Sequence, residues 1–335
     1  MALKKFSIIL PVRNGGEYVK ECVHSILAQT LNNFDLIVLD NCSTDGTLQW
    51  IQSLNDERII IYPSAKPLSI EENWARIKDV KKNEFITLIG HDDVLYENYL
   101  KTIEALIQKH PNASLYQSHF QYIDGSGSFV RNCLPMDEVQ YAHEFLACHM
   151  ARTMDSMGTG YMMRSNDYDS IGGMPPHYPN LLFADYELWI RLAAISYKAT
   201  TQEQCFKYRL TLSTSRVTNG MQYQHAFEQY VFFIKEFMEK NARVNETVNK
   251  YGREMLYYYC EALSHRLLKT KSSMRKGMHA DDFIKKCKEY AEILIPGQEF
   301  DPEKKLRIKA ASIIDSNSIT RDIFYWYKMT SAKYQ

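Results

Sequence analysis

Four segments rich in apolar residues, at 6–12, 34–40, 58–62 and 84–89, mark the first part of the chain. Runs of this length without alternation predict strands covered on both faces. Between them, residues 17–30 carry Val19, Val23, Ile26 and Leu27 at helical spacing, and 70–81 has the same period. Thr44 and Asp45 are placed to cap a helix reaching about residue 54. Strands alternating with helices predict an α/β, Rossmann-like, mostly parallel sheet with helices on both faces. Such sheets bind ligands outside the carboxyl ends of their strands. Those ends read Pro11-Val12-Arg13-Asn14, Asp40-Asn41, Pro63-Ser64 and Gly90-His91-Asp92-Asp93. Three of the four turn polar or charged directly after the apolar run.

The alternation loosens after residue 114. Strands are expected at 114–123 and 160–163, a turn-rich loop at Gly172-Gly173-Met174-Pro175-Pro176 and a short helix at 185–195. Beyond 220 the strand pattern stops, and helices are expected at 222–239, 246–268, 281–294 and 303–314. The predicted organisation is a sheet domain, 1–220, followed by a helical module, 221–335.

Composition adds a charge asymmetry to this picture. The 335 residues are 45% apolar and 24% charged, which excludes a disordered or fibrous chain. Basic and acidic residues number 40 each, and a general nucleic-acid binder is more often basic. The balance is uneven along the chain, however. Residues 1–220 hold 20 basic and 25 acidic groups, whereas 221–335 hold 20 and 15. No apolar run reaches the roughly 18–20 residues of a membrane span. The run at 6–12 follows Lys4 and Lys5, but it is short and lacks a small-residue cleavage site, so a strand is expected there rather than a signal peptide. Seven scattered cysteines without a Cys-x-x-Cys pair predict neither a disulfide framework nor a zinc site. They point to a reducing, cytoplasmic setting.

Three segments have residues suited to chemistry. Adjacent carboxylates at a strand end, Asp92 and Asp93, are costly unless a cation or hydrogen-bond donors compensate them. Mg²⁺ or Mn²⁺ commonly binds through one or two carboxylates plus substrate phosphates, while a helix cap near Tyr96 would need no metal. Asp40 and Asn41 can accept from a base or ribose at the open edge, and Ser43 and Asp45 also fit plain capping. Asp185 opens a helix and fits either a cap or a general base.

Taken in order, the segments resemble a known family. Ser7-Ile8-Ile9-Leu10-Pro11-Val12-Arg13-Asn14, Ser25-Ile26-Leu27-Ala28-Gln29-Thr30 and Leu39-Asp40-Asn41-Cys42-Ser43-Thr44-Asp45-Gly46-Thr47 look like the nucleotide-binding half of family-2 glycosyltransferases, inverting enzymes with a GT-A fold. Asn73-Trp74-Ala75-Arg76, the stretch from Phe85 to Asp93, Ile171-Gly172-Gly173-Met174 and Ala184-Asp185-Tyr186-Glu187-Leu188-Trp189 continue the match to about residue 215. The helical tail lies outside it. The resemblance implies that Pro11, Val12 and Arg13 line the nucleotide pocket, that Asp40 and Asn41 meet base and ribose, and that Arg76 approaches the diphosphate. It further implies that Asp92, supported by Asp93, binds a divalent metal, Mn²⁺ or Mg²⁺, and that Asp185 deprotonates the acceptor hydroxyl. The implied partners are a nucleotide-diphosphate sugar and a saccharide or lipid-linked saccharide, as in cell-surface polysaccharide synthesis.

Departures from the family pattern are specific. Gly90 replaces the first carboxylate of the usual Asp-x-Asp, Ala184 replaces the acidic residue often preceding the base, and Tyr208-Arg209-Leu210-Thr211 lacks the His of Tyr-Arg-x-His. His91 or His225 is a candidate substitute, with His91 inside the donor site. The alternatives are a catalytically degenerate sugar-nucleotide binder and a nucleotidyltransferase. The latter normally has a longer, basic phosphate loop than Arg13-Asn14-Gly15-Gly16. The cationic tail, with Phe324-Tyr325-Trp326-Tyr327-Lys328 near its end, raises three expectations: attachment to the inner membrane face, a homo-oligomer contact, or a solvated helical cap with ordinary lysines.

Overall fold

The computed structural model describes residues 4–210 and 218–331. The chain forms two compact units. The first comprises residues through 145, 152–177 and 184–210. The second comprises 146–151, 178–183 and the described chain from 218 on. Two short earlier segments, 146–151 and 178–183, thus belong with the helices of the second unit.

In the first unit, β1 (Phe6–Val12), β2 (Phe34–Asp40), β3 (Ile59–Ile61) and β4 (Phe85–Leu88) pair in parallel in the order β3-β2-β1-β4. Every residue of β1 is buried, as its unbroken apolar run requires. The connecting helices are α1 (Tyr18–Leu27), α2 (Thr47–Ser53) and α3 (Ile70–Ala75). The last is set by a reciprocal capping box between Ser69 and Glu72.

Past β4 the sheet changes direction. After β5 (Val94–Leu95) and α4 (Tyr99–Lys109) come β6 (Leu115–Ile123), β7 (Phe129–Asn132), β8 (Val139–Gln140), α5 (Ala142–Ala151), β9 (Met162–Arg164), α6 (Ser165–Ser170), α7 (Ala184–Ile195) and β10 (Lys198–Arg209). Strand β9 lies antiparallel between β4 and β6, and β10 runs parallel to β6. The parallel character predicted from the sequence therefore belongs to the half that carries Asp40 and Asp92. Strand β10 was not anticipated, because its middle, Thr200 to Gln204, is polar and contains register shifts.

The second unit contains α8 (Gly220–Lys240), α9 (Ala242–Leu268), α10 (Ala280–Leu294), α11 (Leu306–Asp315) and α12 (Ser318–Ser331). Its core is aromatic. Phe183 stacks on Tyr230 with centroids 5.3 Å apart and meets Tyr259 edge-on at 5.2 Å, and Phe227 meets Tyr259 at 4.5 Å. In the run Tyr257-Tyr258-Tyr259, Tyr257 packs on Phe300 and Tyr259 enters this core, as helix packing predicts.

Candidate active site

The strand ends are shaped by reciprocal hydrogen bonds between loops. After β1, Asn14 adopts a left-handed backbone (φ 53°), which its short polar side chain tolerates. Its amide donates to Ser43 Oγ at 3.0 Å, and its side-chain oxygen accepts from the Thr44 amide at 2.8 Å. Gly15 N donates to Thr47 Oγ1 and Gly16 N to Asp45 Oδ2, both at 3.0 Å. The segment after β1 is thereby fastened to the segment after β2. Pro11 and Val12 are buried in this wall, while Arg13 projects exposed from it.

Asp40 ends β2 almost wholly buried. One carboxylate oxygen accepts from the Ser43 amide at 3.3 Å, and the other, Oδ1, is buried with no hydrogen-bond partner. A buried acceptor left open is expensive. Asn41 is committed to the protein: its side chain donates to the Leu68 carbonyl at 2.9 Å and accepts from the Leu68 amide at 2.8 Å. Arg76 is also engaged. Its guanidinium donates to the carbonyls of Asp40 (3.1 Å) and Tyr62 (2.5 Å) and to Asn73 Oδ1 (2.9 Å). The resemblance implies that Arg76 approaches a diphosphate; its guanidinium also braces the ends of β2 and β3.

Beyond β4, Asp93 is buried and accepts from Thr159 Oγ1 at 2.9 Å and from the Arg209 amide at 3.1 Å. Burial and the charge of neighbouring Asp92 push its carboxyl up to about 8. The helix-cap alternative fails, because β5 intervenes and the next helix begins only at Tyr99. Arg209 is the hub of this corner. Its Nε donates to the Asp92 carbonyl at 2.7 Å, one terminal nitrogen pairs with Glu21, and the other reaches the Asp124 carbonyl at 3.3 Å. Its guanidinium carbon stands 4.8 Å from the centre of the Tyr18 ring. Space at Gly90 is tight: a Cβ there would lie 3.0 Å from a carboxylate oxygen of both Asp92 and Asp93. His91 is half-buried beside them.

Asp185 lies half-buried in the first turn of α7. Burial pushes its carboxyl up to about 6 against the opposing pull of the Tyr186 and Asp185 backbone amides. Two residues order its surroundings. Trp189 Nε1 donates to the Met157 carbonyl at 3.1 Å, and the Trp189 ring stacks on Tyr161 at 4.4 Å. This fixes the 157–160 loop, in which Gly158 leaves room beside Asp185 Oδ2 and Thr159 reaches Asp93. The Tyr208 phenol is raised by burial and then by the charges of Asp93, Asp185 and Asp92. One side chain thus senses both carboxylate groups, which therefore share a neighbourhood.

The first unit accordingly brings Asp92, Asp93 and Asp185 together through the 157–160 loop and Tyr208, with Asp40 and Arg76 at adjacent strand ends. Arg209, Thr159 and Tyr208 were not singled out from the sequence. The Tyr208-Arg209 pair stood in a motif that drew notice only for its missing His. Among the described residues no three His, Cys, Asp or Glu side chains converge to cage an ion. With Asp93 already engaged, the donor set suits a hard cation that takes most of its ligands from diphosphate and water.

The sequence profile of glycosyl transferase family 2 matches residues 7–170. The glycosyltransferase GlyG of Streptococcus pneumoniae is 29% identical over 126 residues, 37% of this chain and 42% of GlyG. An uncharacterized glycosyltransferase of Rickettsia prowazekii is 26% identical over 238 residues, 70% of this chain and 73% of its own length. Staphylococcus aureus TarS, a poly(ribitol-phosphate) β-N-acetylglucosaminyltransferase, is 29% identical over 112 residues, 32% of this chain and 20% of TarS. The chain thus spans less than half the length of GlyG and of TarS. The crystal structure of TarS 1–349 with UDP-GlcNAc shares the fold, with a TM-score of 0.66 at 16% identity over 97% of this chain and 92% of that one. With the strand-end carboxylates, the GT-A sheet and the ordered motifs in agreement, residues 7–170 match glycosyl transferase family 2, and the chain shares the fold of a glycosyltransferase.

Proposed function

We propose that the chain transfers a sugar from a nucleoside-diphosphate donor to an acceptor hydroxyl, with inversion, in the synthesis of a cell-surface polysaccharide. The observation that carries the reading is Asp185, a half-buried carboxyl raised to about 6 beside the strand-end pair. A base poised just below neutral pH is ionised when the acceptor arrives and still basic enough to take its proton. As the acceptor oxygen bonds to the anomeric carbon, its proton passes to Asp185 and the bond to the diphosphate oxygen breaks on the opposite face. The open Oδ1 of Asp40 is suited to accept from a base N–H, with Asn41 and Arg76 holding the loops that present it. Asp92, held through its own carbonyl by Arg209, is the side chain to carry Mn²⁺ or Mg²⁺. Such an ion neutralises charge on a departing diphosphate.

UDP-GlcNAc, the compound bound in the TarS structure, is the first donor to test. A panel of nucleotide sugars scored by thermal shift, with and without Mn²⁺, tests the reading, because a ligand that binds only the folded state raises stability by RT ln(1 + [L]/Kd). A metal-enhanced shift with one donor is expected; no shift with any donor refutes it. Gly90 at the family's first carboxylate position favours one rival, a binder without turnover. A donor-dependent shift with no sugar transferred to any glycan acceptor would support that rival.

A further inference from the structure

Helix α12 in the second unit has an apolar face with no partner among the described residues. Ile319, Ile323, Trp326 and Tyr327 fall at i, i+4, i+7 and i+8, so they share one side of the helix, and each is at least 57% exposed. The neighbouring α11, which packs on α12, exposes Leu306 and Ile313 in the same way. A third element joins them. Ser272 Oγ donates to Asp322 Oδ1 of α12 at 3.3 Å, bringing up the loop in which Met274 is 61% exposed between Lys271 and Lys276. Large apolar side chains exposed together on adjoining elements are the mark of an interaction surface.

The surrounding charges select the occupant. Lys269, Lys271, Lys276 and Lys309 are exposed and form no ion pair among the described residues. These three elements carry only two acidic groups: Asp315, buried against Arg275 and Arg321, and Asp322, which accepts from Ser272. A second copy is disfavoured, because a two-fold contact would set this cationic rim against itself. Trp and Tyr beside Lys are the residues that settle at the boundary between headgroups and acyl chains. Among the described residues no helix is long and apolar enough to cross a bilayer, so any contact there is with the surface.

We propose that α11, α12 and the 269–276 loop form a docking surface for an anionic phospholipid bilayer, with Ile319, Ile323, Trp326 and Met274 entering the headgroup region and the four lysines pairing with lipid phosphates. The proposal does not depend on sugar transfer. The test is co-sedimentation of the full chain with phosphatidylcholine vesicles, with and without phosphatidylglycerol. Binding should require the anionic lipid and weaken with salt, since exposed charges are screened over about 10 Å at 0.1 M. I323S/W326S should lower affinity at least tenfold. K271E/K276E should lower it and flatten the salt dependence. Unaltered circular-dichroism melts, expected for substitutions at exposed positions, assign these losses to the surface. Equal sedimentation with both vesicle types, or none with either, overturns the proposal. So does self-association in vesicle-free ultracentrifugation that I323S/W326S abolishes, which would assign the face to a second copy.

Discussion

Replacing Asp185 with Asn keeps the size and the hydrogen-bonding shape of the side chain and removes its charge. If Asp185 only capped α7, the change would be nearly silent, because Asn caps as well as Asp. If it is the base, turnover should fall by roughly 10²–10⁴-fold while donor affinity is retained. The structure adds a second readout. A carboxyl lifted from 3.8 to about 6 on folding penalises the ionised native state by about 3 kcal/mol. The folded pKa lies above the unfolded one, so native stability falls as pH rises from about 4 to about 6 and stays reduced above that. Asn at 185 does not titrate and escapes the penalty. At pH 8 the variant should therefore melt higher than wild type. For a unit of this size 1 kcal/mol moves Tm by roughly 2–4 °C, which gives a ceiling of roughly 6–12 °C. Asp185 is only half-buried, so water offsets part of the penalty and roughly 5 °C is the expected gain. Below pH 4 the two proteins should melt together. In wild type, kcat/KM should rise with pH through about 6 and then level off. Calorimetry at pH 4 and pH 8, with initial rates across the same range, tests all of this. A variant with near-normal kcat, or one no more stable than wild type at pH 8, would refute the assignment.

Asp92→Ala should abolish Mn²⁺-dependent donor binding in the thermal-shift assay and leave the apo melting temperature within a few degrees of wild type; unchanged metal-dependent turnover would remove Asp92 from the site. Arg209→Ala should destabilise the first unit by roughly 1–3 kcal/mol, because it leaves the Asp92 and Asp124 carbonyls without their buried donor. Arg209→Lys should recover much of that stability in urea titrations while the donor KM stays raised, since a single ammonium cannot serve Asp92, Glu21 and Asp124 together. Asp40→Asn should weaken donor binding about tenfold, as expected for the loss of roughly 1.4 kcal/mol, with little change in melting; equal donor affinity by calorimetry would exclude Asp40 from base recognition.

What the sequence made legible follows from where local pattern and tertiary context agree. The strands 6–12 and 34–40 were readable to the residue, because burial on both faces leaves an unbroken apolar run that little else produces. Strand β10 was not, because it joins β6, β5 and β8 with bulges and a polar middle, and long-range pairing holds it rather than local preference. Residues 324–328 drew attention for their aromatics, but the helix that contains them, 318–331, leaves its apolar face uncovered among the described residues, against the usual amphipathic rule. In the site, carboxylates betray themselves by sitting next to apolar runs. Arg209 and Thr159 act through partners more than 60 residues away in sequence, and no spacing rule reaches that far.

Gly90 and Arg209 bear on the same physical problem. Two adjacent carboxylates at a strand end repel each other, and a third at position 90 would add to that repulsion. In this chain the loop folds over position 90 so closely that even a methyl group would press on Asp92 and Asp93. Asp93 is meanwhile withdrawn into hydrogen bonds with Thr159 and the Arg209 amide. In the proposed reading the metal-binding side chain is Asp92, whose backbone carbonyl accepts from Arg209 while the same guanidinium pairs with Glu21. Arg209 orients the Asp92 backbone, and on the proposed reading the ligands that a second carboxylate would give must come from the donor's diphosphate and water. A metal held here leans on the donor's diphosphate, so metal and donor should bind cooperatively, each weak without the other.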